Sequence, residues 1–255
     1  MRSLLVLVSA LVVVGVASAG TPGFGTAVTA PGGGVRYVAV PSVAKTKVRA
    51  VRVRDGKVLR TATVPGAFRF ARVAYDGPPG GVSGDGSTLV LAGPPHGTTA
   101  FAVLSTRTLR PVRLFSLRGD FTFDAVSPDG RTVYLIEYLA EPTYRVRAFE
   151  VATGRLVDRV IADKREAGEP MQGYPLARAT ARGGTWAYTL YGRDGAKAFV
   201  HALDTVNQAA VCVDLPWRLD HGDGATMKLE GRRLVLRRHG VRLGAVDTTT
   251  FRVVT

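Results

Sequence analysis

Cysteine is almost missing from this 255-residue chain, where Cys212 stands alone. A single cysteine excludes an intramolecular disulfide and any Cys-x-x-Cys redox or metal motif. It sits in the apolar run Ala-Ala-Val-Cys-Val at 209–213, which reads as a buried, inert thiol. No cation or helix N-terminus is readable nearby that would make it reactive. Histidine is scarce too: His96, His201, His221 and His239 are dispersed, so no His-x-x-x-His spacing exists. His96 and His239 fall in turns, and His201 lies inside an apolar strand, where a hydrogen-bonded residue between units is expected. Without a Gly-x-Ser-x-Gly elbow or a phosphate loop, nucleophilic-hydrolase and nucleotide-binding readings lose most of their weight. Gly32-Gly33-Gly34 reads as a turn. Amphipathic helices are also missing: apolar residues recur with period two, and the connectors are too short or too rich in Gly and Pro for crossover helices.

Lysine is confined to six positions, so the net charge of +14 is carried mostly by arginine. Such a surface suits anionic partners: phosphate-rich envelope polymers, acidic lipid headgroups or nucleic acid. The codon bias of a GC-rich genome would produce the same excess, and it would also explain the Ala, Gly and Val usage. The arginines are spread over the chain rather than gathered on one arm, which counts against a dedicated nucleic-acid reader. No nucleic-acid partner is expected.

The first residues read as an export signal. Arg2 is the positive start, residues 4–16 are a continuous apolar stretch, and Ala17-Ser18-Ala19 precedes Gly20 as a small-residue cleavage site. The stretch is shorter than the roughly 20 residues a spanning helix needs, and Gly20, Pro22 and Gly23 break its continuation. Cleavage after residue 19 is the leading expectation and a retained anchor the alternative. No cysteine follows the site, so no lipid anchor is expected there. A secreted or cell-envelope location follows, with no membrane span after cleavage and one domain over 20–255.

What the chain does have is repetition. An apolar strand, a polar or Gly-rich turn and a second apolar strand recur five times, with turns at 30–33, 83–86, 127–130, 181–184 and 229–231. Each copy precedes a second strand pair, such as 48–54 with 58–64 across Asp55-Gly56, or 144–151 with 156–161 across Thr153-Gly154. Glycine in such turns accepts a positive φ, so every unit is predicted to be a four-stranded antiparallel meander. The units run approximately 26–66, 67–119, 120–163, 174–216 and 223–255. A period of roughly 45–55 residues separates a propeller from a barrel, which would show turns without a higher-order repeat. The fold class is therefore all-β: a β-propeller of about five four-stranded blades. If residue 26 starts the first inner strand and residue 254 ends the last outer one, the ring closes by side-chain packing between first and last blades.

Residues 123–134, Phe-Asp-Ala-Val-Ser-Pro-Asp-Gly-Arg-Thr-Val-Tyr, followed by 147–155, Arg-Ala-Phe-Glu-Val-Ala-Thr-Gly-Arg, closely resemble a blade of the WD-repeat-like and YVTN-type bacterial β-propellers. The likeness extends in weaker form over 26–255. It departs from true WD repeats, since no Gly-His opens the units and no Trp-Asp ends the third strand. The resemblance implies a disc that binds partners on its faces or in its channel, and some members are lactonases or other enzymes. The motif itself closes hairpins and carries no chemistry.

Function is expected in what does not repeat. The connections 162–175 and 214–224 are long and polar, and long loops on a rigid scaffold are where binding usually sits. The second gathers Asp214, Trp217, Asp220, His221 and Asp223. Asp220, His221 and Asp223 could hold a divalent cation, Ca²⁺ by their oxygen donors, or His221 could act as a base beside a carboxylate. Asp-His-Gly-Asp-Gly is equally ordinary turn composition, and neither a metal nor a cofactor is assigned. Asp124 and Arg178 occupy equivalent places in neighbouring copies near the channel mouth, where they would grip a ligand or pair with each other. Arg165, Glu166, Glu169 and Tyr174 would complete a polar rim or be solvated loop. The candidate ligand-binding set is Asp124, Arg178, Tyr174, Trp217, Asp220, His221 and Asp223. The leading reading is a monomeric secreted propeller that binds an unidentified protein, anionic envelope polymer or small ligand. The alternative is an exported lactonase or hydrolase working at the channel mouth.

Overall fold

The computed structural model describes residues 23–75, 77–140, 143–162 and 171–254. The export segment, Glu166, Glu169 and Arg165 lie outside the described residues. Strands dominate, and among the described residues the longer ones form five successive antiparallel sheets. The first contains Ala27–Thr29, Val35–Pro41, Lys45–Arg52 and Val58–Pro65. The second contains Thr88–Ala92, Thr98–Ser105 and Pro111–Arg118. The third contains Asp120–Val126, Thr132–Tyr138, Thr143–Glu150 and Arg155–Ile161, and Met171–Gln172 adds to it beside Thr143 and Tyr144. The fourth contains Tyr174–Thr180, Trp186–Gly192, Phe199–Asp204 and Ala209–Asp214. The fifth contains Ala225–Glu230, Arg233–Arg238, Val241–Asp247 and Val253–Val254. The main path of each of these five sheets is a meander that follows sequence order; the Met171–Gln172 addition to the third lies off that path.

One unit departs from the four-stranded expectation. The inner position of the second sheet is a single bridge, Val82 to Leu89, rather than a strand. The chain before it reads Gly-Pro-Pro-Gly-Gly, prolines lack the donor a ladder needs, and Gly81 takes φ +125°. A short ribbon, Phe24–Gly25 with Phe70–Ala71, covers the entry to this unit.

The repeated turn has one geometry wherever its sequence is kept. At 127–132 the Ser127 hydroxyl donates to Asp129 Oδ1 at 2.7 Å and accepts from the Thr132 N–H at 3.0 Å, and the Gly130 N–H closes on the Ser127 carbonyl. Ser83, Asp85, Gly86 and Thr88 reproduce the same bonds, at 2.6 and 2.9 Å for the hydroxyl. Ala181 cannot, so the fourth copy keeps only the backbone closure from Ala181 to Trp186 and from Gly184 to Ala181. A second device ties inner to outer hairpins: Thr106, Thr205 and Thr248 hydroxyls donate to the carbonyls of Gly86, Gly184 and Arg232.

Apolar side chains on alternate positions face the next sheet. Tyr37, Ala39, Val48 and Ala50 of the first pack on Phe70, Leu89, Leu91 and Leu104 of the second. Phe101, Phe121, Leu135 and Phe149 join the second to the third. Tyr134, Val146, Ile161, Leu203 and Ala210 join the third to the fourth, and Leu190, Leu215, Met227, Leu234 and Leu236 the fourth to the fifth. Among the described residues no apolar cluster joins the fifth sheet to the first. Exposed polar side chains stand on their outward faces instead: Arg36, Lys47 and Arg49 beside Val38, Val40 and Val51 on the first, and Thr226, Lys228, Glu230 and Arg233 on the fifth. Among the described residues, the side-chain packing expected to close the ring between the first and last blades is therefore not seen, and both faces stand exposed.

The axis is crowded at its inner turns. A Cβ placed on Gly84 would overlap the carbonyl oxygen of Gly183, so the turns of the second and fourth sheets meet backbone to backbone. The Asp85 N–H donates to the Pro128 carbonyl at 2.9 Å, and Tyr75 N–H to the Pro175 carbonyl at 3.2 Å. Residues 72–75 and 77–84 thus cross the space that inner strands usually leave open.

Candidate ligand-binding face

Strand direction sorts the loops by face. Inner strands run from the end bearing the 42–44, 193–198 and 214–224 loops toward the end bearing the Ser-Pro-Asp-Gly turns, so the connections between sheets and the middle hairpins share one face.

Asp124 and Arg178 lie beneath that face and engage each other. Arg178 Nη1 donates to Asp124 Oδ1 at 2.6 Å, Nη2 donates to the Asp124 backbone carbonyl at 2.8 Å, and Nη1 also meets the Thr189 hydroxyl. The side chains are 8% and 1% exposed. Asp124 sits at the register shift between Phe123 and Ala125, which turns its carboxylate out of the third sheet toward Arg178 in the fourth. Around the pair stand Tyr138, Tyr144 and Tyr191, none of which sequence reasoning singled out. Burial pushes all three phenols well above the ordinary tyrosine value, and the Asp124 charge adds to the effect. Asp124 Oδ2, Tyr138 OH and Tyr144 OH are buried with no hydrogen-bond partner among the described residues. Such groups ordinarily find a protein atom or an ordered water. Deeper still, His201 Nδ1 lies 3.7 Å from Cys212 Sγ, and both are buried.

The exposed candidates assemble separately. Tyr174 OH lies 2.9 Å from Asp194 Oδ1 and 3.3 Å from Asp220 Oδ1, and its ring is 6.3 Å from that of His221. Tyr75 stands edge-on to His221 at 4.4 Å. Tyr75, Tyr174, Asp194, Asp220 and His221 therefore form one aromatic and acidic rim drawn from the second unit, the fourth and the connection that follows the fourth. Burial and the Asp194 hydrogen bond raise the Tyr174 phenol, so it stays a donor. Asp223 serves the loop itself: Oδ2 accepts from the Asp220 N–H at 2.9 Å and Oδ1 from Arg238 at 2.7 Å, which holds its carboxyl below the usual range. Trp217 is turned inward, its ring packed on Gly244 within the apolar cluster of the last two sheets. Among the described residues no group of three His, Cys, Asp or Glu side chains is placed to hold a metal.

Sequence reasoning thus identified three of the five rim residues. Tyr75 and Asp194 were missed because each lies in a short connection of ordinary turn composition, with nothing local to mark it. On the opposite face a cleft of about 290 Å³ opens among Val28–Pro31, Pro79–Gly84 and the turn at 180–184. Its walls are mostly backbone and small side chains, so it offers shape and little chemistry.

The charge, spread over all units by composition, is not spread evenly. Residues 26–66 hold eight basic side chains against Asp55 alone, while 120–163 hold five basic against eight acidic.

The chain is a β-propeller. Sequence comparison finds no matching protein family and no matching curated protein. Among solved structures it is similar to TolB from Acinetobacter baumannii, at 11% identity and a TM-score of 0.46 over 89% of this chain and 52% of that one. It is similar to a putative TolB from Agrobacterium tumefaciens, at 13% identity and a TM-score of 0.49 over 91% and 73% of the two chains. The Dos1 propeller gives 9% identity and 0.47 over 86% and 56%. The chain spans about half the length of the Acinetobacter protein. The sheet order and meander register described above carry the assignment. Among the described residues no helix is long and apolar enough to cross a membrane.

Proposed function

We propose that this chain is a secreted five-bladed β-propeller, exported by residues 1–19, that works at the cell envelope as a binding module. The observation that carries the reading is the rim of Tyr75, Tyr174, Asp194, Asp220 and His221, gathered from two units and a connection onto one face. Rings on a rigid scaffold offer stacking faces, and carboxylates beside them accept hydroxyl or ammonium hydrogen bonds. A sugar-like polyol fits that chemistry. Asp124 and Arg178 spend their groups on each other below the rim, which favours a binding module over a lactonase or hydrolase that would need both at the substrate.

A thermal-shift screen against neutral oligosaccharides, sugar lactones, divalent cations and anionic glycopolymers tests this. A ligand at a hundredfold excess over Kd raises stability by about 2.7 kcal/mol. The shift should come from a polyol and should disappear in His221→Ala and shrink in Tyr174→Phe, which loses the hydroxyl between Asp194 and Asp220. A polyol shift indifferent to both changes would place binding elsewhere, and turnover of a lactone would replace the reading with the enzymatic one.

A further inference from the structure

We propose that the outward face of the first sheet, with the hairpin at Ser42–Ala44, docks onto an anionic lipid bilayer. Register puts Arg36, Val38 and Val40 on one strand beside Val51, Arg49 and Lys47 on the next, with Lys45 continuing the row. Arg36, Lys45, Lys47 and Arg49 are exposed, and no carboxylate pairs with any of them among the described residues. Alternate residues on a strand stand about 6.8 Å apart, so the row presents cations at a regular spacing on a flat surface. The corresponding face of the fifth sheet differs, since Arg237 there pairs with Glu230 at 3.3 Å.

Charge alone would suit any polyanion; the hairpin decides for a membrane. Val43 at its tip is 99% exposed, and Val40 beside it 51%. Ser42 N–H and hydroxyl both bond the Lys45 carbonyl, at 2.7 and 2.8 Å, so the tip is a fixed turn that holds Val43 outward. A soluble polyanion has no use for a projecting aliphatic residue. A bilayer does: an apolar tip enters the headgroup boundary while flanking lysines reach acidic headgroups. The chain also enters the fold at this end. Gly23 bonds Arg72 next to the ribbon at Phe24–Gly25, level with the 42–44 hairpin, so the apolar stretch at 4–16 is only a short run of chain away.

The inference depends on the proposed envelope location only for its setting, since lipid binding is read directly and apart from the rim. The test is co-sedimentation of the full-length chain with vesicles of phosphatidylcholine alone or containing phosphatidylglycerol. The phosphatidylcholine arm reads any contribution of the apolar N-terminal stretch; the difference between arms reads the basic face. Binding should favour phosphatidylglycerol and weaken with salt, falling about fivefold for each charge removed in Lys45→Gln and Lys47→Gln. Val43→Asp should also reduce it. These side chains are exposed and the variants should melt as the wild type does, while Lys57→Gln, on the far hairpin, should bind normally. Equal binding to both vesicles, or binding indifferent to Lys45 and Lys47, would overturn the proposal. Loss with the lysines but not with Val43→Asp, together with equally tight capture of inorganic polyphosphate, would assign the face to a soluble polyanion instead. Self-association in sedimentation velocity abolished by the same lysine variants would assign it to a second copy.

Discussion

Replacing Arg178 by methionine would leave Asp124 as a buried carboxylate with neither oxygen paired. Arg178 now supplies one charged hydrogen bond to Oδ1 and one to the Asp124 carbonyl, and among the described residues Oδ2 has no partner to fall back on. Methionine keeps most of the apolar stem, so the change isolates the charge rather than the packing. Removing one partner of a buried ion pair typically costs about 3–5 kcal/mol, because the remaining charge stays desolvated. For a domain of this size 1 kcal/mol moves Tm by roughly 2–4 °C, so the variant should melt roughly 6–20 °C lower. Asp124→Asn combined with Arg178→Met removes the orphaned charge and should regain a large part of that loss. Urea unfolding followed by circular dichroism on the wild type, both single variants and the double variant gives the coupling energy. Coupling near zero, or an Arg178→Met variant within about 1 kcal/mol of the wild type, would refute the claim that this pair ties the third sheet to the fourth.

Two further perturbations probe the fold. Gly84→Ala forces a methyl group into the Gly183 carbonyl and should cost about 1–3 kcal/mol or more, whereas Gly34→Ala, with open space around it, should stay within about 0.5 kcal/mol; equal melting curves would remove the contact across the axis. Tyr138, Tyr144 and Tyr191 hold their protons far above the ordinary value of about 10, so stability is undiminished below that pH and is lost as pH rises past it, where the unfolded chain ionises first. Absorbance at the tyrosinate band should show fewer than the eight tyrosines ionised at pH 11 while the fold persists, with the rest appearing together on unfolding; all eight ionising in the folded state would contradict their burial.

The meander was legible because its causes are local. Alternating apolar residues make a strand amphipathic, and a glycine at positive φ closes each inner turn, at Gly33, Gly86, Gly130, Gly183 and Gly231. The second unit's inner strand was misread for an equally local reason: Val82 and Ser83 have strand composition, but the two prolines and two glycines before them deny it a ladder. Gly84 was invisible as a contact residue, since it looks like one more turn glycine, yet its role is the approach of Gly183 from a unit about a hundred positions away in sequence. The Asp124 and Arg178 pair could be foreseen as an alternative, because equivalent places in adjacent repeats must be neighbours in space. Tyr138, Tyr144 and Tyr191 could not, because on a strand a buried tyrosine reads as core.

Composition misled most where it averaged. Arginine in every repeat argued for a diffuse surface, yet what matters is the pairing of each cation. In the third sheet Glu137 takes both Arg145 and Arg147, at 2.7 and 3.0 Å, and the field is neutralised where it arises. In the first sheet Asp55 engages Arg52 and Arg54, so among the described residues Arg36, Lys45, Lys47 and Arg49 project from an exposed face a field that no carboxylate pairs. Unpaired like charges repel, and holding four on one flat sheet lowers the stability of that sheet. The four cations are exposed and gain no burial to offset that cost, so an anionic surface outside the molecule is what would turn this arrangement from a cost into a source of free energy.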